Sequence, residues 1–314
     1  MAERSAAELA APLVELLPPV DFCCAYGSSL LPNNHDKTSM VDYILGVADP
    51  VQWHSEITRV ADGVGAGVHF NPFVEWRDKM IKYGVVRMHD LAMDVLTWDR
   101  FYLSGRLQKP VRVLIDNWEI RKVNVINLKS ATSASLLLLP PEFLRTSLML
   151  QEDLYSKICG LSYMGDLRML FAEDKNKVRK IVQGSFNLFQ SMYRPLLREY
   201  ASDGLLKMSS LGQQQSFKQE CGSSATNYLV SMLPATIQRQ IGGKCRVDET
   251  GIITPQIIMS SKEEAANCVR KALRRIVMVS SVRQAVSGVL AAGGVNAARY
   301  LGKKISKAWT SRTS

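Results

Sequence analysis

The sequence predicts an α+β chain: a mixed α/β N-terminal domain, a mainly helical second domain and a basic helical tail. Three observations lead there. Short apolar runs that end in turn residues recur before residue 120. From about Leu136 the apolar spacing becomes helical, and the positive charge gathers at the C-terminal end.

The N-terminal stretch, with Glu3, Glu8 and Glu15, predicts an amphipathic helix stopped by Pro18 and Pro19. It is too acidic for a typical organellar transit peptide. Asp21 to Tyr26 is an apolar run ending in Gly27-Ser28-Ser29, a strand followed by a turn. A polar loop with Pro32, Asn33, Asn34 and Lys37 follows, then a strand over Val41 to Val47. The glycine-dense Gly63 to Gly67 leads into a short strand at Val68 to Asn71. Lys109 to Asp116 predicts another strand, with Pro110 at a tolerated first position. Glu142 to Gly160 and Asp174 to Tyr200 predict helices, and polar links lie around Ser209 to Ser224. The expected division is 1–140, 141–275 and 276–314.

With 314 residues and 46% hydrophobic content, the chain can bury a substantial core. Its net charge of +10 is unevenly placed. Residues 265–314 hold ten Lys or Arg and no Asp or Glu, so the rest carries 29 of each sign. A neutral body with a basic end suits contact with an anionic surface at one place and argues against a nucleic-acid binder. The six cysteines have no zinc or disulfide spacing, and His35, His54, His69 and His89 have no ligand spacing. The uncharged stretch between Arg283 and Arg299 is shorter than the ~20 residues a spanning helix needs.

A strand running into Gly-Ser, with a second strand bearing a carboxylate about fifteen positions on, suits nucleotidyl transfer. Gly27 lets the backbone approach a triphosphate, and Ser28 and Ser29 can donate to it. Asp42 would hold Mg²⁺ where the ion bridges phosphate oxygens. Taken alone, the turn reads more readily as an ordinary loop, and Asp42 as a surface strand end.

AYGSSL at 25–30 and SMVDYILGVADPVQWH at 39–54 resemble the opening of the mitochondrial CDP-diacylglycerol synthase family, also described as translocator assembly and maintenance proteins. GAGVHFN, IKYGV, SGRLQKPV, NLKSA, GLSYMGDLRM and AEDKNKV follow in order between residues 65 and 178, and SSVRQAVSG at 280–288 fits more loosely. The resemblance implies a nucleotidyltransferase-fold domain, a winged-helix-like domain and a C-terminal amphipathic helix. It also implies Mg²⁺-dependent transfer of CMP from CTP to phosphatidic acid, giving CDP-diacylglycerol for phosphatidylglycerol and cardiolipin synthesis. The implied location is the matrix face of the mitochondrial inner membrane, as a peripheral protein.

Nucleotidyltransferases usually carry two acids two positions apart on the second strand. Here Ile44 stands in the second place, leaving Asp49 and Asp116 as fallback ligands. The nucleophile, a phosphate oxygen, is already anionic, so the chemistry calls for cations rather than a strong base. Lys37 is the candidate for gripping the lipid phosphate. Lys82, Arg106, Lys109 and Lys129, within the family-like strings, are candidates for the triphosphate, with a solvated surface role the alternative for each. Asp166 and Arg168 read either as an ion pair or as part of the nucleotide pocket. Glu173, Asp174 and Lys175 read as a charged helix start.

From Val282, the positions Val286, Leu290, Gly293, Ala297, Leu301, Ile305 and Ala308 continue one helical stripe, with Trp309 at its edge. Arg299, Lys303, Lys304 and Lys307 lie off it, the pattern of a helix lying on an anionic membrane. A helix packed on the protein's own body is the alternative, and Gly293-Gly294 weakens any helix there. Two other functions compete: a nucleotidyltransferase acting on another substrate, and a non-catalytic assembly factor for membrane translocases.

Overall fold

Strand β1 (Phe22–Tyr26) is buried along its whole length. Its alternate residues serve two cores, because successive side chains leave a strand on opposite faces. Cys23 and Ala25 pack with Leu9 and Leu13 of the N-terminal helix α1 (Ala6–Leu16). Phe22, Cys24 and Tyr26 face the other way, into a cluster completed by helices on that side. A strand covered on both faces belongs inside a sheet, and β1 sits there.

The computed structural model describes residues 5–32, 34, 40–53, 68–77, 79–140, 147–171, 176–211, 214–241, 245–247, 253–255 and 258–292. After β1 come β2 (Val41–Val47), the single turn α2 (Pro50–Trp53), β3 (Val68–Trp76), β4 (Lys79–Arg87), α3 (Met88–Thr97), α4 (Leu103–Leu107), β5 (Arg112–Asp116) and α5 (Ile120–Leu138). The five strands form one mixed sheet in the order β3-β4-β2-β1-β5, in which only β2 and β4 run parallel. Helix α1 closes one face, where Tyr43 donates its hydroxyl to the Leu9 carbonyl. Helices α3, α4 and the start of α5 close the other.

The second half is helical, as expected: α6 (Ser147–Leu161), α7 (Arg168–Phe171), α8 (Lys177–Gly184), α9 (Phe186–Ser202), α10 (Ser223–Ser231), α11 (Ala235–Ile241) and α12 (Lys262–Ala292). Two hairpins interrupt it, β6 (Leu206–Leu211) with β7 (Gln214–Gln219) and β8 (Cys245–Val247) with β9 (Ile253–Pro255). Its core stacks Tyr155, Phe189 and Tyr193 and draws in Val269 and Leu273 of α12. Helix α5 belongs to both halves: Ile120 lies in the sheet cluster and Leu136 to Leu139 in the helical one.

The α+β class holds, with several local differences. Helical structure sets in with α3 and α5, well before residue 136. The predicted strand at Lys109 begins three residues later, because Gln108 and Lys109 finish the turn that ends α4. The helix expected over 174–200 is two helices broken at Ser185, where ψ is 23°. Part of the Ser209–Ser224 link is the β6–β7 hairpin, whose Ser/Gln-rich composition reads as loop until the strands pair.

Candidate active site

Asp42 is placed by the sheet. It stands opposite Tyr26 on β1 and opposite Lys82 on β4. Ile44, two residues on, lies in the α3/α4-side cluster, so Asp42 and Lys82 project to that same face. Lys82 Nζ is 3.8 Å from Asp42 Oδ1 and 4.7 Å from the centre of the Phe70 ring.

At the end of β1, Gly27 has φ 102°, a conformation that costs a residue with a Cβ about 1 kcal/mol or more. A Cβ there would lie 2.5 Å from Asp42 Oδ2. The chain then makes one 3₁₀ turn, Ser28–Leu30. Ser28 is exposed, and Ser29 Oγ is covered with no hydrogen-bond partner among the described residues. Carboxylate, bare backbone and an unsatisfied hydroxyl thus share one corner.

Helix α4 brings the cations. Arg106 lies 4.2 Å over the Tyr26 ring. Burial works against its charge, but Tyr26, Tyr163, Tyr102 and Asp42 more than restore it. Four groups fix this short helix. Buried Asp94 accepts the backbone N–H groups of Arg100, Phe101, Leu103 and Ser104. Burial pushes the Asp94 pKa up, and those four bonds pull against it. Asn127 donates to the Ser104 carbonyl while accepting from Trp98 and Gln108. Tyr193 donates to the Gln108 carbonyl. Lys109 reaches back to the Gly105 carbonyl at 2.5 Å and across to Ser162 Oγ at 2.6 Å. The crossing to Ser162 is close: a Cβ on Gly105 would lie 2.6 Å from Ser162 Cβ.

Gly27, Ser29, Asp42, Lys82 and Arg106 therefore come together, and Lys109 joins them through α4. Asp166 is buried in a two-pronged ion pair with Arg168, at 2.7 Å for its closest contact. Lys129 is not brought into contact with this group. Its ammonium meets Glu199 of α9 at 2.5 Å, while its neighbour Asn127 is the residue that reaches α4. Lys37 and Glu173, Asp174 and Lys175 lie outside the described residues, as do Arg299, Lys303, Lys304, Lys307 and Trp309. The sequence does not single out Asp94, Asn127 and Ser162, the groups that hold α4 and its lysine in place; Asn127 and Ser162 lie within strings that carry the resemblance, whose signal is not resolved to side chains.

One carboxylate beside bare backbone fits a magnesium ion that takes its remaining ligands from substrate phosphates and water. Among the described residues no cluster of three His, Cys, Asp or Glu side chains could hold a metal by itself. Ile44 fills the usual second-acid position because it points into the hydrophobic cluster. The fallback ligands are elsewhere. Asp116 faces Phe22, four residues along β1 from Tyr26 (about 13 Å), and it caps α5. Asp49 follows the far end of β2 and caps α2.

A carboxylate at a glycine-serine turn, flanked by Lys and Arg and framed by a mixed sheet, defines a site of the nucleotidyltransferase class. The family model described as "Phosphatidate cytidylyltransferase, mitochondrial" matches residues 9–57 and 56–307. Proteins named mitochondrial phosphatidate cytidylyltransferase are similar throughout. Those of Danio rerio and Mus musculus are each 33% identical, over 93% and 91% of this chain and 92% and 89% of theirs. That of Schizosaccharomyces pombe is 28% identical over 94% of this chain and 81% of its own. The chain belongs to the mitochondrial phosphatidate cytidylyltransferase family. A nucleotidyltransferase-like protein of Exiguobacterium sibiricum covers 68% of this chain and 98% of its own at 10% identity, with a TM-score of 0.23, too slight a likeness to carry weight.

Proposed function

We propose that this protein transfers CMP from CTP to phosphatidic acid, producing CDP-diacylglycerol and pyrophosphate. The observation that carries the reading is the corner formed by Gly27, Ser29 and Asp42 with Arg106 beside it, in a chain of this family. In the reaction, a phosphate oxygen of phosphatidic acid attacks the α-phosphorus of CTP. A new P–O bond forms as the bond to the pyrophosphate oxygen breaks.

A magnesium ion held by Asp42 would offset the charge of the triphosphate. The protein's own groups do the rest. The backbone at Gly27 admits the phosphates, Ser28 and Ser29 donate to them, and Lys82 and Arg106 offset their charge. Lys37 is assigned to the lipid phosphate. No side chain need remove a strongly held proton, because the attacking oxygen is already anionic near neutral pH.

We further assign nucleotide chemistry to residues 1–140, structural support to 141–275 and membrane contact to 276–314. Among the described residues no helix is long and apolar enough to cross a membrane. On α12, Met278, Val279, Val282 and Val286 are exposed beside Arg275 and Arg283, which favours contact with an anionic bilayer surface. The proposed place is the matrix face of the mitochondrial inner membrane, with the product serving phosphatidylglycerol and cardiolipin synthesis.

Purified protein with CTP, Mg²⁺ and phosphatidic acid in mixed micelles should yield a CDP-lipid, and Asp42→Ala should abolish it. Absence of product from the wild type overturns the reading. Removal of residues 282–314 should reduce sedimentation with anionic liposomes, and unchanged sedimentation rejects the membrane assignment.

A further inference from the structure

The two cations beside Asp42 each rest on the face of an aromatic ring. Lys82 Nζ stands 4.7 Å from the centre of the Phe70 ring, and the Arg106 guanidinium 4.2 Å from that of Tyr26. A ring face attracts a cation through its quadrupole, yet it leaves the unit charge and the N–H groups unused. A carboxylate seat would consume both. Among the described residues the carboxylate paired with Lys82 is Asp42, at 3.8 Å, longer than a hydrogen bond.

The sheet builds the seat under Lys82. Phe70 on β3 pairs with Gly84 on β4, two residues along from Lys82 and so on the same face. Its ring fills the space a side chain there would need: a Cβ on Gly84 would lie 2.6 Å from Phe70 Cε1 and 2.7 Å from Val68 Cγ1. Tyr102, the residue before α4, braces the ring edge-on, with centroids 6.0 Å apart. Phe70 and Gly84 fall within GAGVHFN and IKYGV, strings that carry the resemblance.

Resting on the proposed reaction, we propose that Phe70 is a positioning residue: its ring face holds the Lys82 ammonium beside Asp42 while leaving the charge free for the triphosphate, and Gly84 makes room for the ring. Phe70 thus acts on the nucleotide only through Lys82.

Titration calorimetry with CTP and Mg²⁺, in the absence of lipid, tests this without any transfer step. Phe70→Leu keeps an apolar side chain but removes the ring face, and should weaken CTP about fivefold. Phe70→Tyr keeps the face and should bind as the wild type does. Mono-, di- and trifluorinated phenylalanine placed at Phe70 keep the shape and drain the ring face, so affinity should fall stepwise along the series. That series decides alone if Phe70→Leu loses its circular dichroism. In Lys82→Met none of these changes should weaken CTP further, whereas a merely structural ring would weaken it equally in both backgrounds. Affinity that ignores fluorination, or a loss that persists in Lys82→Met, overturns the seat and leaves the reaction standing. A wild type that does not bind CTP overturns both.

Discussion

The carboxylate of Asp42 occupies the space a side chain on Gly27 would need: Oδ2 lies 2.5 Å from that Cβ position. The two residues sit on adjacent antiparallel strands, where Tyr26 pairs with Asp42 and the chain turns at the next residue. The missing side chain and the acid are therefore one feature of the site.

Gly27→Ala should displace the Asp42 carboxylate and strain a backbone at φ 102°. Shifting a reacting group by about 1 Å can cost on the order of 100-fold. The expected result is a loss of about that size in kcat, with the far-ultraviolet circular dichroism retained. Asp42→Asn keeps the shape and removes the charge, so it should lose activity with wild-type thermal stability. Near-normal turnover in Gly27→Ala would show that the carboxylate can serve from elsewhere.

Lys82 lies close enough to Asp42 to share in the same phosphate charge, at 3.8 Å. Lys82→Met should raise the KM for CTP about tenfold, the effect of losing one charge-assisted contact. The Mg²⁺ concentration for half-maximal rate should stay where it was. A KM unchanged for CTP assigns Lys82 to holding Asp42 alone.

The sequence reading located the strand at Val41–Val47 to the residue and the Gly27 turn beside it, because alternation and turn chemistry are local signals. It could not see that Ile44 faces a hydrophobic cluster, which explains the missing second acid, since the facing of a strand is settled by what packs on it. Asp94 was invisible for a related reason. A lone acid in a helix reads as a solvated position, and its partners lie six to ten residues on, in backbone that has no sequence signature. Charge alone points to Lys129 within NLKSA, whereas the residue of that string that reaches α4 is Asn127.

Asp94 is the anchor of α4, and through α4 it positions Arg106 and Lys109. In Asp94→Asn an amide nitrogen replaces one acceptor oxygen and faces backbone N–H groups it cannot accept from. The expected loss is about 2–4 kcal/mol of folding stability, seen as a Tm lower by several degrees. Activity at low temperature should fall as well, because the helix end loosens. A Tm unchanged by the substitution would mean that water or a shifted backbone satisfies these donors.

Lys109 gives a test of its burial that needs no substrate. Its folded pKa is lowered to about 7 from an ordinary value of 10.5. Below pH 7 the lysine is charged in both states, and the cost of burying that charge is fully present. Between about 7 and 10.5 the unfolded chain holds a proton that the folded one has released, so stability rises with pH. The limit is about 1.4 kcal/mol per pH unit. Cys23 and Cys24 work in the opposite direction above their ordinary range, because burial raises both thiols and the folded state keeps their protons longer. The difference between wild type and Lys109→Met removes that background. Losing the bonds to Gly105 and Ser162 offsets the variant equally at every pH. Unfolding free energies from denaturant titrations at pH 7, 8 and 9 should therefore favour the wild type increasingly as pH rises. A difference that stays flat across those values would mean that Lys109 keeps its proton inside the fold.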